Sequence, residues 1–124
     1  MSAVIQVEVL YAEELVANLR REFPNAVTDG VQDAIKIVAQ RIYDEVLRLV
    51  PVRTGYLRST VGYDTEGKWF FKIFAKAPYA AYVEWGTSRM VPRLFMTRAL
   101  EMHRVELIEE VENAVAKAVI QAFR

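Results

Sequence analysis

Leu57-Arg58-Ser59-Thr60-Val61-Gly62-Tyr63-Asp64-Thr65-Glu66-Gly67-Lys68-Trp69-Phe70-Phe71-Lys72-Ile73-Phe74-Ala75-Lys76 is the stretch that sets the architecture. Leu57, Ser59, Val61 and Tyr63 alternate with Arg58, Thr60 and Gly62, and Trp69, Phe71, Ile73 and Ala75 alternate with Phe70, Phe74 and the lysines. A period of two marks strands. Between the two runs, Asp64-Thr65-Glu66-Gly67 supplies turn residues, and Gly67 takes positive φ at little cost. The stretch therefore reads as a β-hairpin. Its second strand has aromatic residues on both faces, which calls for two partners. One face covers the central helix; the other meets a further element or a second subunit, with the lysine stems packed alongside.

Working outward, Val31, Ala34, Ile35, Val38, Ile42, Val46 and Leu49 recur at spacings of three and four, which predicts an amphipathic helix over about residues 28–50. Thr28 or Asp29 is expected to cap its first turn, and Pro51 ends it. Residues 4–11 alternate and read as a half-buried strand. Residues 12–21 read as a short helix that stops near Phe23, because Pro24 disfavours helical geometry before it. A last helix over residues 94–123 is expected to bury Phe95, Ala99, Met102, Val105, Ile108, Val111, Val115, Val119 and Ala122 or Phe123. At roughly 1.5 Å per residue it is about 43 Å long, against a diameter of about 35 Å for a compact domain of this size. It must bend or pack its end on a neighbour. The predicted class is α+β: one domain over residues 1–124, with a small antiparallel sheet containing the hairpin packed against a long central helix and a long C-terminal helix.

Composition limits the function. The chain has 124 residues, no cysteine and a formal net charge of zero, with 53% apolar and 26% charged residues. That balance fits a globular protein and argues against disorder. No apolar run reaches the roughly 18 to 20 residues of a membrane span, and the start of the chain lacks a secretory signal pattern, so neither membrane insertion nor export is expected. Without cysteine there is no thiol nucleophile, disulfide or thiolate metal site. Charge is unevenly spread: residues 1–50 carry five basic against eight acidic groups, residues 51–98 eight against three, and residues 99–124 three against five. The basic middle either steers an anionic partner or meets the acidic helix of a neighbouring subunit.

Chemistry is hard to find. His103 is the only histidine and has no second ligand at metal spacing, so it reads as a structural residue. The carboxylates of Glu13, Glu14, Asp44, Glu45, Glu109, Glu110 and Glu112 lie on predicted helices as solvated faces. Ser59 and Ser88 have no nucleophile elbow, and the five glycines form no phosphate-binding loop. The expectation is a protein without catalytic residues, metal or cofactor. Arg53, Arg58, Lys68, Lys72, Lys76, Arg89, Arg93 and Arg98, interleaved with Trp69, Phe70, Phe71 and Phe74, supply the cations and stacking rings of a nucleic-acid surface. A nucleic-acid-binding module using this hairpin is therefore the alternative reading, although edge lysines also blunt sheet aggregation.

Two further stretches remain unexplained: Pro51-Val52-Arg53-Thr54-Gly55-Tyr56-Leu57-Arg58-Ser59 and Ala77-Pro78-Tyr79-Ala80-Ala81-Tyr82-Val83-Glu84-Trp85-Gly86-Thr87-Ser88-Arg89-Met90. Together with Phe95 and Ala99-Leu100-Glu101 they resemble, over roughly residues 28–110, the tail-completion or head–tail joining proteins of long-tailed bacteriophages and related proviruses. The chain departs from that family in having Leu94 and Arg98 where prolines are usual. The resemblance implies a non-enzymatic virion protein. It would form a homo-oligomeric ring, expected to be a hexamer, and contact connector or stopper and tail-tube proteins. Non-specific contact with DNA in the channel is a further implication. Assembly would take place in the host cytoplasm, after which the protein resides in the virion tail or neck. The residues expected to carry these contacts are Arg53, Thr54, Gly55, Arg58, Lys68, Lys72, Lys76, Glu84, Trp85, Gly86, Thr87, Ser88, Arg89, Met90 and Arg93. Within the second stretch, Tyr79, Tyr82 and Trp85 are expected to pack one side, Glu84 to pair with an arginine such as Arg58 or Arg89, and the loop to order on contact.

Overall fold

The computed structural model describes residues 3–8, 24–65 and 70–122. Their order is β1 (Ala3–Glu8), α1 (Pro24–Leu49), α2 (Tyr56–Ser59), β2 (Val61–Asp64), β3 (Phe70–Ala75), α3 (Ala80–Trp85) and α4 (Phe95–Ala122). The three strands form one antiparallel sheet in the order β1-β3-β2. This is the expected α+β architecture, with α1 touching both the sheet and α4 along its length.

The hairpin is present, and it carries the register. Tyr63 pairs with Ile73 and Val61 with Ala75 across β2 and β3, while Ala3 pairs with Ala75 on the other side. Phe71, Ile73 and Ala75 are buried toward α1, against Val31, Ile35, Val38, Ile42 and Val46. The predicted face of the central helix is thus the one that packs. On the other face of the sheet, the Phe74 ring lies over Gly62, where an added Cβ would come within 2.6 Å of it. Lys76 Nζ sits 5.4 Å from the centre of the same ring. The turn with Gly67, together with Lys68 and Trp69, lies outside the described residues, as does the short helix expected over residues 12–21.

Three expectations are corrected. Residues 56–59 form a helical turn, α2, rather than the start of a strand. Gly55 enters at φ 85°, and the hydroxyls of Ser59 and Thr60 donate to the carbonyls of Tyr56 and Leu57 at 2.6 and 2.8 Å, which tightens the turn before β2 begins. The central helix starts at Pro24, so Thr28 and Asp29 lie within it and do not cap it. A proline in the first turn has no N–H to lose and a φ already set for helix.

In α4 the buried row is Phe95, Met96, Ala99, Leu107, Val111, Val115 and Ala118, while Met102, Val105 and Ile108 face solvent, Val105 at 65% exposure. The row passes through half-buried His103. Its Nδ1 lies 2.8 Å from Glu106 Oε2 and its Nε2 3.6 Å from Glu45 Oε1. Arg41 pairs with Glu106, so the middle of the α1–α4 seam is tied by charge as well as by packing.

Candidate interaction site

The first of the two stretches begins where α1 runs out. Val50 N–H still donates to the Val46 carbonyl at 2.9 Å; Pro51 cannot continue the ladder. Thr54 Oγ1 then accepts from Tyr56 N–H at 3.3 Å, and Gly55 takes the left-handed conformation. Nothing lies within 4 Å of a Cβ built on Gly55, so the demand for glycine there comes from the backbone angle alone. Gly55→Ala is accordingly expected to lower stability by only about 1–2 kcal/mol, checked by denaturant melting, with the turn intact.

Thr60 links this turn to the second stretch. Its hydroxyl accepts from Ala77 N–H at 3.1 Å, and its carbonyl accepts from Lys76 N–H at 3.3 Å. Ala77-Pro78-Tyr79 then turns into α3, whose Ala80 N–H donates to the Ala77 carbonyl at 3.0 Å. Tyr79, just before α3, and Tyr82 and Trp85 on it recur every three residues and are exposed, not packed as expected. Among the described residues, Tyr79 makes a ring contact with Tyr56 of the first stretch, at 6.2 Å between centroids.

Glu84 is the main correction. It pairs with neither Arg58 nor Arg89: it is 0% exposed and points at the start of α4. Its Oε2 accepts from Met96 N–H at 2.9 Å, and its Oε1 accepts from Thr97 N–H at 2.9 Å and Thr97 Oγ1–H at 2.7 Å. The first turn of a helix leaves N–H groups without intrahelical acceptors, and the residue before α4, Leu94, has no side-chain oxygen to offer. A carboxylate brought from α3 does the capping instead, and its charge suits the positive end of the helix. Main-chain bonds reinforce the join, Arg93 N–H to the Val83 carbonyl at 2.9 Å and Leu94 N–H to the Glu84 carbonyl at 3.1 Å. Leu94 itself sits at φ 49°, an angle a proline ring cannot reach. The signal in the sequence was an uncapped helix start with Glu84 as the nearest acidic residue before it, eleven positions from Phe95. Arg58 meanwhile donates from Nε to the Leu47 carbonyl at 3.4 Å.

The loop between α3 and α4 is held in shape. Thr87 N–H donates to the Met90 carbonyl at 2.9 Å and Met90 N–H returns to the Thr87 carbonyl at 3.3 Å, leaving Ser88 and Arg89 at the tip. Arg89 N–H donates to Thr87 Oγ1 at 3.2 Å. Gly86, at φ 78° and ψ 176°, lets the Met90 carbonyl and the Pro92 ring approach closely.

The two stretches, far apart in sequence, meet. Pro51, Arg53, Thr54, Gly55 and Leu57 from the first and Tyr79, Val83 and Met90 from the second, with Arg93 just beyond it, line one groove of about 640 Å³. Of the residues singled out in the sequence, Arg53, Thr54, Gly55, Met90 and Arg93 come together here. Arg58 lies beyond Gly55 in a separate cleft with Tyr43, Leu47 and Val52, while Lys72 is on β3 and Lys76 directly follows it. Pro51, Leu57, Tyr79 and Val83 were missed as lining, because only the chain reversal at Gly55 brings them opposite one another. Among the described residues, no group of three or more histidine and acidic side chains is arranged to hold a metal.

A comparison with protein families matches residues 13–86, more than half of the chain, to one described as "Bacteriophage HK97-gp10, putative tail-component". The chain belongs to the HK97-gp10-like family. Neither a search of curated proteins nor a search of solved structures gives a significant match. Membership makes the protein a phage tail component, a structural and virion-associated role. The matched segment contains all of residues 51–59 and ends at Gly86, before the loop tip and α4. Among the described residues of this HK97-gp10-like chain, no helix is long and apolar enough to cross a membrane.

Proposed function

We propose that the protein is a tail-completion component that assembles as a homo-oligomeric ring, a hexamer, where the tail tube meets the head connector. It acts by templated association and has no catalytic step. One observation carries this reading. The two stretches that mark the family converge on a single open groove, lined by a turn, a helix and a braced loop rather than by clustered catalytic groups. Exposed Tyr79 and Met90 line it, and Tyr82, Trp85 and Val91 of the same α3 and loop segment are exposed too, as suits a surface that a partner covers. The loop is already shaped by its own hydrogen bonds, so docking costs less ordering than a disordered loop would.

The test is light scattering on the purified protein, alone and mixed with a connector protein and a tail-tube protein of the same phage. A ring on the mixed particles supports the reading; a monomer at high concentration that binds neither protein overturns it. The nucleic-acid alternative draws on Lys72 and Lys76 flanking Phe74. Salt-dependent binding of generic DNA, lost when Lys68, Lys72 and Lys76 are neutralised, would favour it instead.

A further inference from the structure

Unpaired charges of mainly opposite sign stand at the two ends of the α1–α4 pair, three carboxylates with one lysine at one end and two arginines at the other. In the middle of the pair the charges are satisfied, through Arg41–Glu106, Arg48–Glu45 and the His103 contacts. At one end Asp29, Asp33 and Glu110 stand with Ile37 and Lys117 around a groove of about 570 Å³ between α1 and α4. None of those three carboxylates has a hydrogen bond or ion pair among the described residues. The groove is not purely acidic: its floor is Ala34 and Ala118, both buried, and Ile37 on its wall is 47% exposed.

At the other end, the braced loop presents Arg89 and Arg93, likewise without ion pairs, around exposed Met90 and Val91, the latter at 78%. Each end thus offers an apolar centre with unpaired charge, net negative at the groove even with Lys117 counted and positive at the loop.

A chain cannot satisfy its own ends. Glu110 lies fifteen residues into α4 from Phe95, roughly 22 Å along the axis. The loop is tied to α3 by the Arg93 and Leu94 N–H groups and closed on itself between Thr87 and Met90, so it cannot fold back over that distance.

We infer that the α1–α4 groove receives the Arg89–Arg93 loop of a second copy of this chain, Val91 and Met90 against Ile37 and the alanine floor, the arginines against Asp29, Asp33 and Glu110. The two contacting surfaces differ and lie at opposite ends of the helix pair, so the contact either closes reciprocally in a dimer or runs head-to-tail until it closes in a ring, and the ring reading selects the second. The inference rests on the ring reading and adds to it which surfaces meet. The loop and the α4 side of the groove lie beyond residue 86, outside the segment the family matches.

The chain's lack of cysteine makes the test clean. Val91→Cys and Ile37→Cys variants, both at exposed positions, are mixed at high concentration, oxidised mildly and examined on a non-reducing gel and by mass spectrometry. A disulfide between the two variants, in excess over either variant alone, is expected. Arg89→Glu with Arg93→Glu in the loop partner should cut its yield by on the order of tenfold, and Asp29→Lys with Asp33→Lys in the groove partner should restore it. Thermal melts confirm that each variant is folded. Cross-links of Val91→Cys to itself in preference, or a yield indifferent to the charge changes, overturn the docking. Light scattering on the same samples separates the two claims. Oligomers without the cross-link overturn the docking and leave the ring standing, a cross-linked closed dimer supports the docking and overturns the ring, and an absence of oligomers overturns both.

Discussion

Glu84→Ala is expected to destabilise the protein by roughly 3–5 kcal/mol, because two backbone N–H groups and a hydroxyl lose their acceptor where water does not reach. The Met96 and Thr97 N–H groups sit 2.9 Å from the carboxylate, and Met96 is as buried as Glu84 itself. A further part of the loss, up to about 1–2 kcal/mol, comes from removing a negative charge at the positive end of α4. Against a total stability of about 5–15 kcal/mol for a domain, this lowers the melting temperature by more than about 10 °C. Glu84→Gln should fall between the two: its carbonyl oxygen can still accept from Thr97, but its amide nitrogen then faces the Met96 N–H donor to donor. Denaturant melts of the three proteins check the order, and a glutamine variant as stable as wild type would show that a single neutral acceptor suffices.

Gly86→Ala is the second large effect, expected at about 2–4 kcal/mol. Its φ of 78° with ψ of 176° lies in a region essentially reserved for glycine, which alone costs about 1–3 kcal/mol. Space adds to the cost: a Cβ would stand 2.7 Å from the Met90 carbonyl oxygen and 2.8 Å from Pro92 Cδ and Cγ. A main-chain oxygen and a proline ring cannot swing aside as a flexible side chain could, so the loop itself has to move. The bonds between Thr87 and Met90 should weaken, seen as faster hydrogen exchange at both amides, and assembly should suffer beyond what the stability loss explains. Gly55→Ala is the control, with a left-handed φ but open space around it.

These contrasts show what could be read from the chain. The central helix was legible because Val31, Ala34, Ile35, Val38, Ile42 and Val46 form one apolar stripe with no competitor. Helix α4 has apolar residues on two sides, and its packing row is interrupted by a polar residue, His103, made acceptable by Glu45 and Glu106. Skipping His103 shifts the pattern onto Met102, Val105 and Ile108, the solvent side. The α2 turn looked like a strand because four residues cannot distinguish a period of two from one of 3.6. The role of Glu84 depended on a helix start more than ten residues away, and a charge in a loop-rich stretch suggests an arginine partner before a helix cap. The motif residues stood out in the sequence as a pattern, but which of them share a groove depended on the link from Thr60 to Ala77, a contact with no local pattern.

The sheet order β1-β3-β2 makes β3 the middle strand and pairs Ala3, near the start of the chain, with Ala75. During synthesis at about 5–20 residues per second, β1 therefore waits roughly 4–14 s for its partner. The α1 helix and the hairpin are complete by the time β3 is made, so they can collapse first, and β1 joins a sheet already formed. Until it arrives, β3 presents a bare edge with phenylalanines at positions 70, 71 and 74, the kind of edge that recruits strands from other chains. In a cell filling with nascent copies of a virion protein, the docking of β1 on β3 closes an edge that other copies could otherwise extend.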